Sequence, residues 1–139
     1  MGRILAIDYG QKRAGIAVTD PMQIIATGLQ TVHVKDIFAF LTDYVNKEPV
    51  ERFVVGMPRQ MDNTASDASR FIEPFVKKLK KQFPAIPVDR YDERFTSKMA
   101  QQAILESGAK KKVRQNKALV DTVSATIILQ SYMQSMKGF

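Results

Sequence analysis

"RILAIDYGQKRAGIAVTD", residues 3–20, is two short apolar runs joined by a polar turn, and the first run ends on an aspartate. Ile4, Leu5, Ala6 and Ile7 lack the alternation of a strand with one wet side, which predicts a strand covered on both faces. A carboxylate at the end of such a strand must be hydrated, paired or bound to a cation. Asp8 therefore poses a question that the rest of the chain has to answer.

The turn Gly10-Gln11-Lys12-Arg13 and the run Ala14 to Thr19 complete a hairpin, and Ile24 to Val34, with Thr27, Thr31 and Val32, offers a third strand. Three adjacent antiparallel strands are the simplest arrangement. Asp36 is expected to N-cap a helix through about Asn46, since Ile37, Phe40, Leu41, Tyr44 and Val45 recur at helical spacing; Pro49 marks its end. "RFVVGMP" (52–58) follows as a short buried strand and "RQMDNTAS" (59–66) as a polar loop, with Thr64 and Asp67 spaced as a capping box. A helix from about Ala65 to Gln82 presents Phe71, Ile72, Phe75, Val76 and Leu79 on one side, and Pro74 is expected to kink or divide it. "IPVDRYDE" (86–93) is a further strand. Thr96 or Ser97 caps a helix through Glu106 that stops at Gly108, and a long final helix runs from about Gln115 to Met136. Parallel strands need crossovers, so the pattern predicts an α/β fold with a mixed sheet, an antiparallel start and helices on both faces.

A chain of 139 residues with 45% hydrophobic content is the size of one globular domain that buries a real core. With no cysteine there is neither a disulfide nor a thiolate site, which fits a reducing compartment. Asp8 interrupts the first apolar run, so a signal peptide is not expected, and no stretch approaches the ~20 apolar residues that span a bilayer. The expectation is a cytoplasmic protein without a membrane partner. A formal charge of +7 favours polyanionic partners, nucleic acid above all.

Three acids then stand out. Asp8 ends the first strand, Glu93 ends the last, and Asp121 lies one, two and three turns before Ala125, Ile128 and Tyr132 on the apolar side of the final helix. Each has an ordinary alternative: Asp8 could open the turn, Glu93 could pair with Arg90 or Arg94, and Asp121 with Lys117. If the first strand is central and the last strand and helix flank it, the three carboxylates meet at one sheet edge, where their repulsion needs a cation. Carboxylates without cysteine, and with His33 as the lone imidazole, suit Mg²⁺ or Mn²⁺. Two such ions about 4 Å apart could hold a scissile phosphate. His33 itself reads as a strand residue. Asp92 would point to the opposite face from Glu93.

Basic residues flank the presumed site. Lys12 and Arg13 sit in the hairpin turn, and "KKKVRQNK" (110–117) supplies Lys110, Lys111, Lys112, Arg114 and Lys117 just before Asp121. Arg59 and Arg94 are further phosphate contacts, while Gly56 lets a backbone approach closely. Only Tyr9 and Phe95 offer aromatic rings near the acids for base stacking.

"LAIDYGQKRAGIAVTD" (5–20), "VVGMPRQMDNTAS" (54–66), "DERFTS" (92–97) and "VDTVSATIILQSY" (120–132) together resemble the YqgF, or RuvX, family of ribonuclease H-like proteins, labelled Holliday junction resolvases. The resemblance runs nearly end to end. It implies a ribonuclease H-like fold, a five-stranded sheet with its first three strands antiparallel, and a metal-dependent nuclease with Asp8, Glu93 and Asp121 in the carboxylate positions. It further implies RNA as the favoured substrate, through 5′-end trimming of the small-subunit ribosomal RNA precursor on a pre-ribosomal particle. Branched DNA is the alternative, and monomer or homodimer is left open. The related true resolvases carry a second acid one turn after the last-helix aspartate, where this chain has Ser124. That departure keeps a silent nucleic-acid-binding module on the same fold in view. "DYGQKRAG" also resembles the first phosphate loop of the actin and sugar-kinase ATPases, but the chain is too short for their two lobes.

Overall fold

Five strands, β1 (Arg3–Tyr9), β2 (Arg13–Thr19), β3 (Ala26–His33), β4 (Val50–Met57) and β5 (Val88–Asp92), form one sheet in the order β3-β2-β1-β4-β5. The structure is a computed structural model and describes residues 2–57, 69–92 and 117–136. β1 is the central strand. It pairs antiparallel with β2 and parallel with β4; β2 pairs antiparallel with β3, and β4 parallel with β5. The antiparallel start and the mixed sheet are as the sequence predicts.

Both faces of the sheet are covered, which explains why Ile4 to Ile7 need no alternation: all four are buried. On one face Leu5, Ile7, Ile16, Val18, Phe53 and Val55 pack against α1 (Ile37–Lys47) and α2 (Ser69–Gln82), through Ile37, Leu41, Ile72, Phe75, Val76 and Leu79. On the other, Ile4, Ala6, Ala17 and Val54 pack under α3 (Lys117–Met136), through Ala125, Ile128, Leu129, Tyr132 and Met133. The second face is built from small residues. Ala6 pairs with Ala17 and Ala17 with Gly28, and a Cβ at Gly28 would lie 2.4 Å from Thr122 Cγ2. That row lets α3 lie close to the sheet.

Three local expectations are corrected. β3 starts at Ala26 rather than Ile24, because the Asp20 carboxylate accepts the N–H groups of Met22, Ile24 and Ile25 (3.2, 2.7 and 2.8 Å) and closes a turn around Gln23, φ 56°. Asp36 makes no side-chain cap to α1; Val34–Asp36 form a 3-10 turn, and His33 Nδ1 accepts the Lys35 N–H at 3.2 Å. Pro74 does not divide α2. It removes one helical hydrogen bond, and the burial of Ile72, Phe75, Val76 and Leu79 along one stripe, at roughly 1.5–3 kcal/mol per side chain, outweighs that loss. The strand expected to reach Glu93 is described to Asp92, and α3 from Lys117. The helix expected up to Glu106 and the Thr64–Asp67 box lie outside the described residues. Among the described residues, no helix is long and apolar enough to cross a membrane.

Candidate active site at the carboxyl end of the central strand

β1, β4 and β5 are parallel, so their carboxyl ends, Asp8-Tyr9, Gly56-Met57 and Tyr91-Asp92, share one end of the sheet. In an open sheet with helical crossovers this is where ligands bind. The β1–β2 turn closes here through its backbone. The Gly10 N–H donates to the Arg13 carbonyl at 2.8 Å, and a Cβ on Gly10 would lie 2.7 Å from that oxygen, so the turn requires glycine.

Asp8 is half-buried in β1. Leu5, Ile7 and Tyr9 belong to the face of α1 and α2, and Ile4 and Ala6 to the face of α3; alternation places Asp8 on the α3 face. Asp8 pairs with Gly15, and Gly15 with Thr31, giving a row across three strands. Thr31 Oγ1 lies 2.8 Å from Thr122 Oγ1. α3 therefore crosses the sheet over this row at its amino-terminal end, and position 121 precedes the anchored threonine. Further along the helix Ala125, Ile128 and Tyr132 are buried against the sheet. The backbone thus brings Asp8 and the part of α3 next to Thr122 to the same end of the sheet. The Asp121 side chain and the whole of Glu93 lie outside the described residues. Among the described residues no three His, Cys, Asp or Glu group to hold a metal ion.

Arg90, one of the ordinary partners expected for Glu93, has its Nη1 2.9 Å from Glu73 Oε1 on α2. Tyr9 is likewise committed. Its ring stacks on Phe75 at 4.1 Å between centroids, on the opposite face from Asp8, and burial raises its hydroxyl pKa. The expectation of Tyr9 as a base-stacking ring beside the acids is therefore corrected, because adjacent strand residues point to opposite faces.

Of the basic residues, Lys12 is exposed and Arg13 opens β2 beside the turn. The Val34 N–H donates to the Lys12 carbonyl at 3.0 Å, and Arg13 pairs with His33, so Lys35 comes to this end as well. No sequence motif marks Lys35; its placement follows from the β2–β3 register. Lys117 begins α3, its side chain not described; Arg59, Arg94, Lys110, Lys111, Lys112 and Arg114 lie outside the described residues.

The far end of α3 is fixed separately. Tyr132 hydrogen-bonds the Asp89 carboxylate, and Arg52 Nη1 donates to Asp89 Oδ2 at 2.8 Å and to the Tyr132 hydroxyl at 2.6 Å. Burial, then the Asp89 contact, raise the Tyr132 pKa; the Tyr132 contact raises that of Arg52. With Thr122 tied at one end and Tyr132 at the other, α3 has a fixed position along the sheet.

The model of one family, described as "RuvX: Holliday junction resolvase", matches residues 2–135. Relatives bearing the name "Putative pre-16S rRNA nuclease" include those of Phocaeicola vulgatus, 61% identical over 137 residues, and Bacteroides thetaiotaomicron, 58% identical, each alignment covering 99% of both chains. A relative of the same name from Porphyromonas gingivalis is 58% identical, covering 97% of this chain and 98% of its own. Among solved structures, Thermus thermophilus RuvC in complex with a Holliday junction substrate is similar at TM-score 0.56 and 19% identity, covering 99% of this chain and 97% of that one. The Fowlpox virus resolvase with Holliday junction DNA is similar at TM-score 0.58 and 12% identity, covering 96% and 98%. The likeness to these two structures establishes the resolvase-like, ribonuclease H-like fold.

Proposed function

The chain belongs to the RuvX family, and from that premise we propose that it is a divalent-metal-dependent nuclease that trims the 5′ end of the precursor of 16S ribosomal RNA. The observation that carries the proposal is the row Asp8–Gly15–Thr31 with Thr122, the residue after Asp121 in the chain, hydrogen-bonded above it. Glu93 follows Asp92 in the chain, and β5 ends at this same end.

The donor chemistry fits a hard cation. The chain has no thiolate, and the Nδ1 of its single histidine accepts a backbone N–H, which leaves carboxylate oxygens as the ligand set. Asp8, Glu93 and Asp121 would hold the ion, which when bound polarises water and offsets phosphate charge. The protein's own part is positional. The Thr31–Thr122 bond holds α3 over the Asp8 row, and Lys12 and Lys35 offer point charges, with the Arg13 guanidinium beside them, to a phosphodiester backbone without reading its bases.

The test is cleavage of a single-stranded RNA covering the 16S precursor 5′ flank in Mg²⁺. Asp8→Asn, Glu93→Gln and Asp121→Asn should each abolish cutting and retain salt-sensitive binding. Cutting by Asp8→Asn at the wild-type rate overturns the proposal. A four-way DNA junction run in parallel decides between substrates, since symmetric paired nicks there, with the RNA left intact, would assign the site to resolution.

A further inference from the structure

We infer that the outer face of α2, on the side of the sheet opposite Asp8, is a second nucleic-acid contact, which grips the phosphodiester backbone of a single-stranded RNA. This rests on the nuclease reading for its ligand but uses none of the residues of that site. A groove of ≈ 670 Å³ runs along the helix, lined among the described residues by Pro74, Lys77, Lys78, Lys81 and Gln82. Positions 74, 77, 78, 81 and 82 form one helical stripe, turned away from the buried stripe of Ile72, Phe75, Val76 and Leu79.

Charge complementarity identifies the occupant. Lys77, Lys78 and Lys81 are exposed, and the only acid of α2, Glu73, is engaged by Arg90 at 2.9 Å. Three ammonium groups within two turns, facing no acid of their own helix, suit a polyanion whose charges recur along a line. The described lining holds no aromatic ring to stack a base, and lysine is a point donor rather than a planar fork, so the groove tracks backbone and ignores sequence.

An aromatic contact holds one of these lysines at the groove. Lys78 Nζ sits 4.7 Å above the Phe38 ring, Phe38 packs on Phe75 at 5.5 Å, and Phe75 stacks on Tyr9, the residue after Asp8. The cation–π contact further holds the Lys78 stem along the groove instead of leaving it free in solvent.

The experiment measures equilibrium binding of a labelled single-stranded RNA in EDTA, with no cutting, across a series of salt concentrations. Wild type is compared with Lys77→Gln/Lys81→Gln and with Lys47→Gln/Lys80→Gln, which removes equal charge from α1 and from α2 off the groove stripe. Each lost phosphate contact on a single strand should make the slope of log K against log salt shallower by ~0.7, so the groove variant should lose about 1.4. The control variant should keep the wild-type slope. Equal loss in both variants, or none in the groove variant, overturns the inference. Thermal melts of all three exclude unfolding as the cause. An RNA that is bound with the expected slopes yet never cut in Mg²⁺ would leave the groove standing and remove the nuclease reading.

Discussion

Asp8 and Asp20 stand where the two strands of one hairpin end, at opposite ends of the sheet, and the chain uses them differently. Asp20 makes its turn: its carboxylate accepts the amides of Ile25, Ile24 and Met22, and those bonds, Ile25 first, hold its pKa below the usual carboxylate range. At the Asp8 end the turn is closed by the backbone, Gly10 to Arg13, and glycine supplies the close approach. Aspartate at the end of a strand is ambiguous in sequence. What separates a turn-forming acid from a candidate ligand is whether the amides of the next few residues converge on it.

Exchanging the charge at each site should break the comparison in opposite ways. Asp8→Asn should lower the rate of RNA cleavage by at least about 100-fold, more than the ~10–100-fold attached to a group that only orients a metal ligand, with the melting temperature maintained. Asp20→Ala should leave cleavage near wild type and lower the melting temperature, because the Met22, Ile24 and Ile25 amides lose their acceptor. Matched kinetics and melting curves check both.

A second variant disturbs the link between Asp8 and position 121 without touching either acid. Gly28→Val places a Cβ where Thr122 Cγ2 is 2.4 Å away and Thr126 Oγ1 3.2 Å away, so either α3 lifts or β3 shifts. Overpacking of this kind costs about 1–3 kcal/mol. The expected result is a lower denaturant midpoint together with reduced cleavage, while the Asp20 turn is unaffected. Unchanged activity in a folded Gly28→Val protein would show that the site tolerates displacement of α3.

At the Asp20 end, Tyr132→Phe removes the hydroxyl shared by Arg52 and Asp89. Arg52 and Asp89 remain paired at 2.8 Å, so the loss is one hydrogen bond, ~1 kcal/mol. The folded protein raises the Tyr132 pKa above the ordinary 10.0, so this group contributes stability below pH 10 that is lost as pH climbs from there through the raised value. Tyr132→Phe should therefore melt lower at neutral pH and show a flatter decline on the alkaline side.

What could be read from the sequence follows from the range of the interactions involved. The doubly covered first strand and the stripes of α1 and α3 are periodicities within one element, and all appear in the structure. The start of β3 was hidden because Met22, Ile24 and Ile25 look like a strand, while the bonds that make them a turn come from Asp20, whose side chain has no periodic signature. The row Ala6–Ala17–Gly28 under α3 and the Arg52–Asp89–Tyr132 cluster join residues far apart in sequence, and only strand register and helix placement reveal them. Of the site, Asp8 and the backbone of α3 next to Thr122 lie at one end of the sheet, while the Asp121 side chain and Glu93 lie outside the described residues. Tyr9 failed as a neighbour of the acids for the simplest reason, one residue of strand.

The smallest effect concerns acid, and it tests the two aspartates in a single titration. The folded pKa of Asp20 lies below its unfolded value, so its contribution to stability is complete above the unfolded value, near pH 4, and disappears as pH falls through the depressed folded value. Asp20→Asn keeps an oxygen that can accept an amide but removes the charge, so its melting temperature should decline less steeply than wild type below about pH 4. Asp8 is not among the contacts that lower the Asp20 pKa, so Asp8→Asn is the charge-matched comparison for that change. If instead Asp8→Asn flattens the acid limb and Asp20→Asn leaves it steep, Asp8 is the acid that holds the fold, and the division of labour between the two ends of the hairpin is reversed.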